Sequence, residues 1–159
     1  MKKSRNIERP DWDTYFMDIA HVVAKRSNCI RRSVAAVVVR DSRIVSTGYN
    51  GTPRGVKNCF EGACKRCSSH ASSGSHLGEC ICSHAEENAI SQAAYHGIAL
   101  AGGVLYSTLS PCLICSRMII NAGIKEVVFE DAYEFDAQAK KLLSSAGVKV
   151  RRYVRRSSR

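Results

Sequence analysis

"VLYSTLSPCLICSRMIINAGIKEVVF", residues 104–129, reads as strand, helix, strand. Residues 104–107 open a short apolar run that suits a buried strand. Pro111 fits the first turn of a helix, where its missing N–H is not needed. The helix runs from about Cys112 to Ala122, Gly123 closes it, and residues 126–129 form the next strand. Cys112 and Cys115 sit at the helix start, three positions apart, so both thiols can point to one spot. By itself the pair reads as a redox dithiol, half of a structural zinc site or part of a catalytic metal centre.

The same alternation continues in both directions. Upstream, "HAEENAISQAAYHG" (84–97) is rich in helix formers and ends on a glycine suited to a C-cap. Downstream, a helix over roughly 136–145 closes at Gly147 and a last strand covers 148–153. Near the N-terminus, Trp12, Tyr15, Phe16, Ile19, Val22 and Val23 recur at helical spacing, with Asp11 or Asp13 as N-cap and an end near Ser27. These aromatics are expected in the core. "SVAAVVVR" and "RIVSTGYN" read as two strands joined by a tight turn at Asp41–Ser42. The order α-β-β-α-β-α-β-α-β predicts a single domain of the α/β class, a three-layer α/β/α sandwich around a five-stranded mixed sheet. That domain spans 11–153, between a basic segment at 1–10 and a basic tail at 154–159.

Charge and composition narrow the function classes. Residues 1–9 carry +3 and residues 149–159 carry +6 of a total of +10, which leaves the body near neutral. Such termini can bind nucleic acid by counterion release, but solvated terminal charge is the commoner meaning. The uncharged stretch from Asn88 to Ser116 is too broken by glycines, Pro111 and polar residues to be a membrane span. With no apolar run behind the polar N-terminus, a cytoplasmic protein is expected. Eight cysteines in a reducing compartment point to metal or catalysis and away from disulfides. Five of them fall in residues 57–82, a segment with neither helical nor strand periodicity, which metal is expected to organise.

The two helix starts belong together. "SHAEENA" brings His84 and Glu86; "SPCLIC" brings Cys112 and Cys115. One histidine and two thiolates leave a tetrahedral zinc with an open position, the mark of a catalytic site. Water there ionises near neutral pH, and a carboxylate two residues from the ligand histidine can carry its proton. H-x-E followed by P-C-x-x-C is the known signature of zinc nucleobase deaminases. A redox pair would lack the partner H-x-E, and a structural zinc would want a fourth protein ligand.

With these residues the chain resembles the zinc-dependent cytidine and deoxycytidylate deaminase family. The resemblance covers nearly the whole chain, through "YFMDIAHVVAKRSNC", "GYNGTPRGVKNC", "CSHAEENAI", "TLSPCLICSRMIINAGIKEVVF" and "LLSSAGVKV". It implies the cytidine-deaminase-like fold, with catalytic zinc on His84, Cys112 and Cys115 and Glu86 as proton shuttle. Its deoxycytidylate branch, to which "GYNG-x-P-x-G" and "IINAGIKEVVF" are closest, implies hydrolysis of dCMP to dUMP and ammonia for thymidylate synthesis. It further implies activation by dCTP, inhibition by dTTP and a homo-oligomer, a hexamer. Asn50 looks like a sugar contact or a turn residue, and Asn88 a nucleotide contact or a polar helix-face residue. Tyr133 is read as stacking on the base and Arg26 as meeting the 5′-phosphate, with Arg31 and Arg32 near it. Ala35 departs from the glycine usual in relatives, which touches substrate geometry more than chemistry. Similar microbial and phage enzymes carry a second, structural zinc, with Cys29, Cys59, Cys64, Cys67, Cys80 and Cys82 as candidates here and His70 and His76 as possible nitrogen ligands. The alternative reading is a tRNA or single-stranded-DNA deaminase using the same zinc centre and the basic tail.

Overall fold

The structure, a computed structural model, describes residues 9–132 and 136–155. Five strands form one mixed sheet in the order β2-β1-β3-β4-β5. β1 (Ala35–Arg40) and β2 (Arg43–Tyr49) make the expected hairpin. Asp41 and Ser42 both have positive φ, 51° and 57°, the geometry of the two-residue turn that matches strand twist. β3 (Val104–Leu109) pairs antiparallel with β1, and β4 (Glu126–Asp131) and β5 (Lys149–Arg152) follow in parallel.

Side-chain alternation divides the core in two. Ala36, Val38, Leu105 and Val127 face α3 (Ala85–Tyr95), α4 (Leu113–Asn121) and α5 (Asp136–Ser145). Val37, Val39, Tyr106 and Val128 face α1 (Trp12–Ala24), which covers the other side. Three layers result, as the alternation of elements predicts. Residues 57–82 hold only short pieces: 3-10 turns at Cys59–Glu61 and Leu77–Glu79 and one helical turn, α2 (Lys65–Ser68).

Helix α1 corrects two expectations and decides between the two candidate caps. It ends at Ala24, not near Ser27, because the N–H groups of Arg26 and Ser27 bond three residues back in a tightened turn. Of its aromatics only Phe16 is core; Trp12 is 52% exposed and Tyr15 44%, because both sit in the first turn and pack their rings on Phe16, at centroid distances of 5.5 and 5.1 Å, beyond the buried stripe of Phe16, Met17, Ala20 and Ala24. Asp11 is the cap, accepting from Thr14 N–H at 2.8 Å. Asp13 instead accepts two bonds from the Arg151 guanidinium, at 2.5 and 2.7 Å, and one from the Tyr106 hydroxyl at 2.9 Å.

That clamp ties α1 to the far end of the sheet. Arg151 holds the Asp13 carboxyl below its ordinary value of 3.8. A lowered carboxyl stabilises the fold at neutral pH, and the contribution fades as pH falls below that ordinary value toward the lowered one. Asp13→Ala should cost about 1–2 kcal/mol at pH 7 and progressively less in acid, measured by denaturant titration across pH.

Candidate active site and cysteine cluster

Helices α3 and α4 lie on one face of the sheet, and their N-termini converge. His84 is the N-cap of α3 and Cys112 the N-cap of α4. His84 Nδ1 lies 3.4 Å from Cys112 Sγ and 3.4 Å from Cys115 Sγ. A tetrahedral zinc with ordinary bond lengths would set N···S at about 3.6 Å, so the three groups fit it. The His84 side of the trio is open and the Cys115 side buried. The trio expected from sequence is thus brought together.

Two contacts position α3. Gly48 in β2 lets the helix approach so closely that a Cβ there would stand 2.2 Å from Ala85 O and 2.3 Å from Ala89 N. Ser83, next to His84, exchanges two backbone hydrogen bonds with Gly51 at 2.8 and 3.1 Å. Glu87 completes the start by accepting the His84 N–H at 3.2 Å. Sequence reading missed Glu87 and Gly48. A glutamate three residues after a helix cap was visible evidence for the first.

The electrostatics favour one thiolate, at Cys112. The hydrogen bond with Cys115, then His84, brings the Cys112 thiol down to about 4. The same contact pushes Cys115 up, and Cys112 raises His84 to about 9. Two helix N-termini aimed at the spot favour negative charge there. Glu86 is only 4% exposed, and burial raises its carboxyl to about 7. A group with that value can both take and give a proton near neutral pH.

The substrate candidates differ in their surroundings. Asn50 is buried; its Oδ1 accepts from Ser27 Oγ and Val34 N–H at 2.7 and 2.8 Å, and its Nδ2 donates to Arg32 O at 2.9 Å. One Nδ2 proton has no partner among the described residues. Asn88 donates from Nδ2 to Tyr49 O at 2.7 Å, which also leaves one proton and its Oδ1. Arg26 is exposed at the end of α1. Arg31 is turned to residues 67–71, donating to Cys67 O at 3.0 Å, and Arg32 donates to Ser73 Oγ at 3.1 Å. Tyr133 lies outside the described residues.

The other six cysteines gather in one place. Cys29, Cys59, Cys67 and Cys82 form a group whose sulfurs all lie within 4.8 Å of one another; Cys64, Cys67, Cys80 and Cys82 form a second. All are free thiols, with sulfurs 3.9 Å apart for Cys29–Cys67, 3.8 Å for Cys64–Cys80 and 3.7 Å for Cys67–Cys80. Burial raises the Cys64 thiol, but the N–H groups of Cys67 and Ile81 together with the thiols of Cys67 and Cys80 bring it down to about 6. His70 and His76 are exposed and stand in neither group; His76 faces Glu79 at 3.4 Å.

Residues 10–131 match the family model described as the cytidine and deoxycytidylate deaminase zinc-binding region. The chain is 49% identical to a deoxycytidylate deaminase of Schizosaccharomyces pombe over 92% of its length, and 44% identical to one of Saccharomyces cerevisiae over 96%. It spans about half the length of those relatives, 45% and 48%. Its fold is similar to the crystal structure of a dCMP deaminase from the cyanophage S-TIM5 in complex with dCMP and dUMP. That likeness has a TM-score of 0.75 and 32% identity, and covers 92% of this chain and all of the phage chain. On the match of these residues and of the paired helix starts that carry His84, Glu86, Cys112 and Cys115, the chain belongs to the cytidine and deoxycytidylate deaminase family.

Proposed function

We propose that the protein hydrolyses dCMP to dUMP with release of ammonia. The observation that carries the reading is the trio of His84, Cys112 and Cys115, open on one side, with buried Glu86 two residues from His84. The likeness to a phage structure that contains dCMP and dUMP supports the choice of substrate. Zinc bound by the trio supplies a Lewis acid that brings the ionisation of water to near neutral pH. Glu86 takes the proton of the attacking water and hands it to N3 of the cytosine. It then takes the second proton, from the new C4 hydroxyl, and delivers it to the 4-amino group, which leaves as ammonia as the C4–N bond breaks and the C4 carbonyl forms.

The remaining roles follow from what each side chain has to offer. Asn50 and Asn88 each hold an unused amide proton for the sugar or base, and exposed Arg26 offers the 5′-phosphate a cation. Tyr133 stacks on the base. The cysteine group holds at least one further, structural zinc. An open cleft of about 570 Å³, walled by Thr52 to Val56 and by Asn88, Gln92 and Tyr95, suits dCTP and dTTP as effectors. The exposed Trp12, Tyr15 and Val22 on one face of α1 suit a homo-oligomer, a hexamer in this reading. No described helix is long and apolar enough to cross a membrane, and eight free thiols suit a cytoplasmic setting, where the product would feed thymidylate synthesis.

One observation weighs against a polymer substrate. Lys149 faces Glu126, Arg151 pairs with Asp13 and Glu126, Arg152 with Asp131 and Arg155 with Asp18. The described part of the basic C-terminal run is thereby matched by the protein's own carboxylates. Ammonia release from dCMP, deoxycytidine and cytosine-containing single-stranded DNA, run in parallel with and without dCTP, tests the proposal. Turnover of dCMP with none of the polymer is the expected result, and dCTP should raise the rate at low dCMP. Turnover of the polymer with silence on dCMP would overturn it.

A further inference from the structure

We propose that the six cysteines outside the catalytic trio hold two zinc ions in one binuclear cluster, bridged by the thiolates of Cys67 and Cys82. The two four-sulfur groups share Cys67 and Cys82 and no others. Two separate four-thiolate zinc sites would need eight sulfurs. Two tetrahedra that share an edge need six, the number present, with Cys29 and Cys59 terminal on one metal and Cys64 and Cys80 terminal on the other.

Distances fit this arrangement. Ligand sulfurs around one zinc are separated by about 3.8 Å when the metal–sulfur bonds have their usual length. The recorded separations of 3.7, 3.8 and 3.9 Å fall at that value, and they occur within both groups. A single zinc would leave two of the six thiols unused, yet Cys59 and Cys64, one terminal on each side, are both fully buried.

The surroundings make the same point. The core of this segment consists of cysteines alone: Cys59, Cys64, Cys67 and Cys82, with Cys29 and Cys80 packed against them. Among its described larger apolar side chains, Phe60 and Ile81 are turned outward. Hydrophobic burial therefore does little to order residues 57–82, and metal–thiolate bonds supply the missing folding energy. Two zinc ions and six thiolates carry a net charge of −2. Backbone N–H groups of Arg31 and Arg32 point at Cys29, and those of Cys67 and Ile81 at Cys64. The guanidinium of Arg31 donates to the carbonyl of Cys67 at 3.0 Å, and that of buried Arg66, the next residue in sequence to Cys67, to the carbonyls of Ser72 and Ser75. Donors and positive charge are what an anionic cluster requires, and the ligands are thiolates, the soft donors that select zinc over hard cations.

The test is metal stoichiometry and spectroscopy on the intact protein purified with its zinc. Three zinc ions per chain are expected, one at the trio and two in the cluster. Replacement with ¹¹³Cd should give two four-sulfur resonances that split each other through the shared thiolates, beside one from the trio. The Cys67→Ser chain, which loses a bridge, should drop to one zinc or fail to fold, whereas Cys80→Ser should keep at least two. Two zinc ions per chain with a single four-sulfur cadmium resonance would overturn the proposal, as would iron with acid-labile sulfide in the purified protein. Both decisive readings come from the wild-type chain, so they do not depend on whether a variant folds.

Discussion

Glu86→Gln is expected to lower dCMP turnover by about 10⁴-fold while leaving the zinc content and the fold unchanged. The substitution keeps shape and burial but removes the one carboxyl that, among the described residues, stands buried against Cys115 of the trio. A positioned acid–base group contributes about 10²–10⁴-fold for a transfer, and here one residue serves protonation of N3 and of the leaving amine. The loss should appear in kcat, with KM for dCMP little changed, because the group acts on the reacting atoms. Glu87→Gln is the matched control. Its side chain still accepts the His84 N–H, so turnover should stay within a few-fold of wild type. Retention of more than a tenth of the activity by Glu86→Gln, with its metal in place, would remove Glu86 from the proton path.

The second large effect is predicted far from any ligand. Gly48→Ala would drive a methyl group against Ala85 O at 2.2 Å and Ala89 N at 2.3 Å, and both atoms are helix backbone that cannot swing away. The helix has to lift from β2, breaking the 2.6 Å bond from Ser46 Oγ to Ala89 O and carrying His84 with it. Such overpacking costs about 3 kcal/mol, and a domain of this size should lose about 10 °C in melting temperature. Catalytic zinc should be lost in parallel, because its histidine caps the displaced helix. Gly78→Ala is the comparison: a Cβ there meets nothing within 4 Å and no positive φ is involved. Near-normal melting and zinc content in Gly48→Ala would show that α3 is free to shift without moving the site.

The catalytic trio was legible because each half is local. A cap, a proline and two cysteines three apart specify where thiols point, and H-x-E does the same for the second helix. The order of elements was legible for a similar reason, since turn glycines such as Gly123 and Gly147 stand where each helix stops. What failed were choices between faces and between partners. Trp12 and Phe16 have the same spacing signal, but only Phe16 faces Tyr106, with ring centroids 5.2 Å apart. Asp11 and Asp13 are alike as caps until Arg151, 138 residues away, claims one of them. The basic C-terminal run looked free because its carboxylate partners are remote in sequence, on α1 and β4. The six cysteines stood in the sequence as an undivided set of candidates, whereas the chain folds Cys80 and Cys82 onto Cys64 and Cys67, and Cys29 onto Cys67. Periodicity carries no information about such long-range closures.

The bridge between Gly51 and Ser83 has a bearing on how this chain tolerates change. It holds the two ends of a loop of more than thirty residues side by side, one ladder step apart. What lies between them can therefore lengthen or shrink at an entropic cost that grows only with the logarithm of length. His84 keeps its place whichever loop is fitted, because its location is set by the bridge on one side and by the seat at Gly48 on the other. The cysteine-rich segment is in that sense a cassette. A short turn or a different metal module spliced between the same two residues would meet the same geometric demand, so the reaction centre and its neighbour can be re-engineered independently.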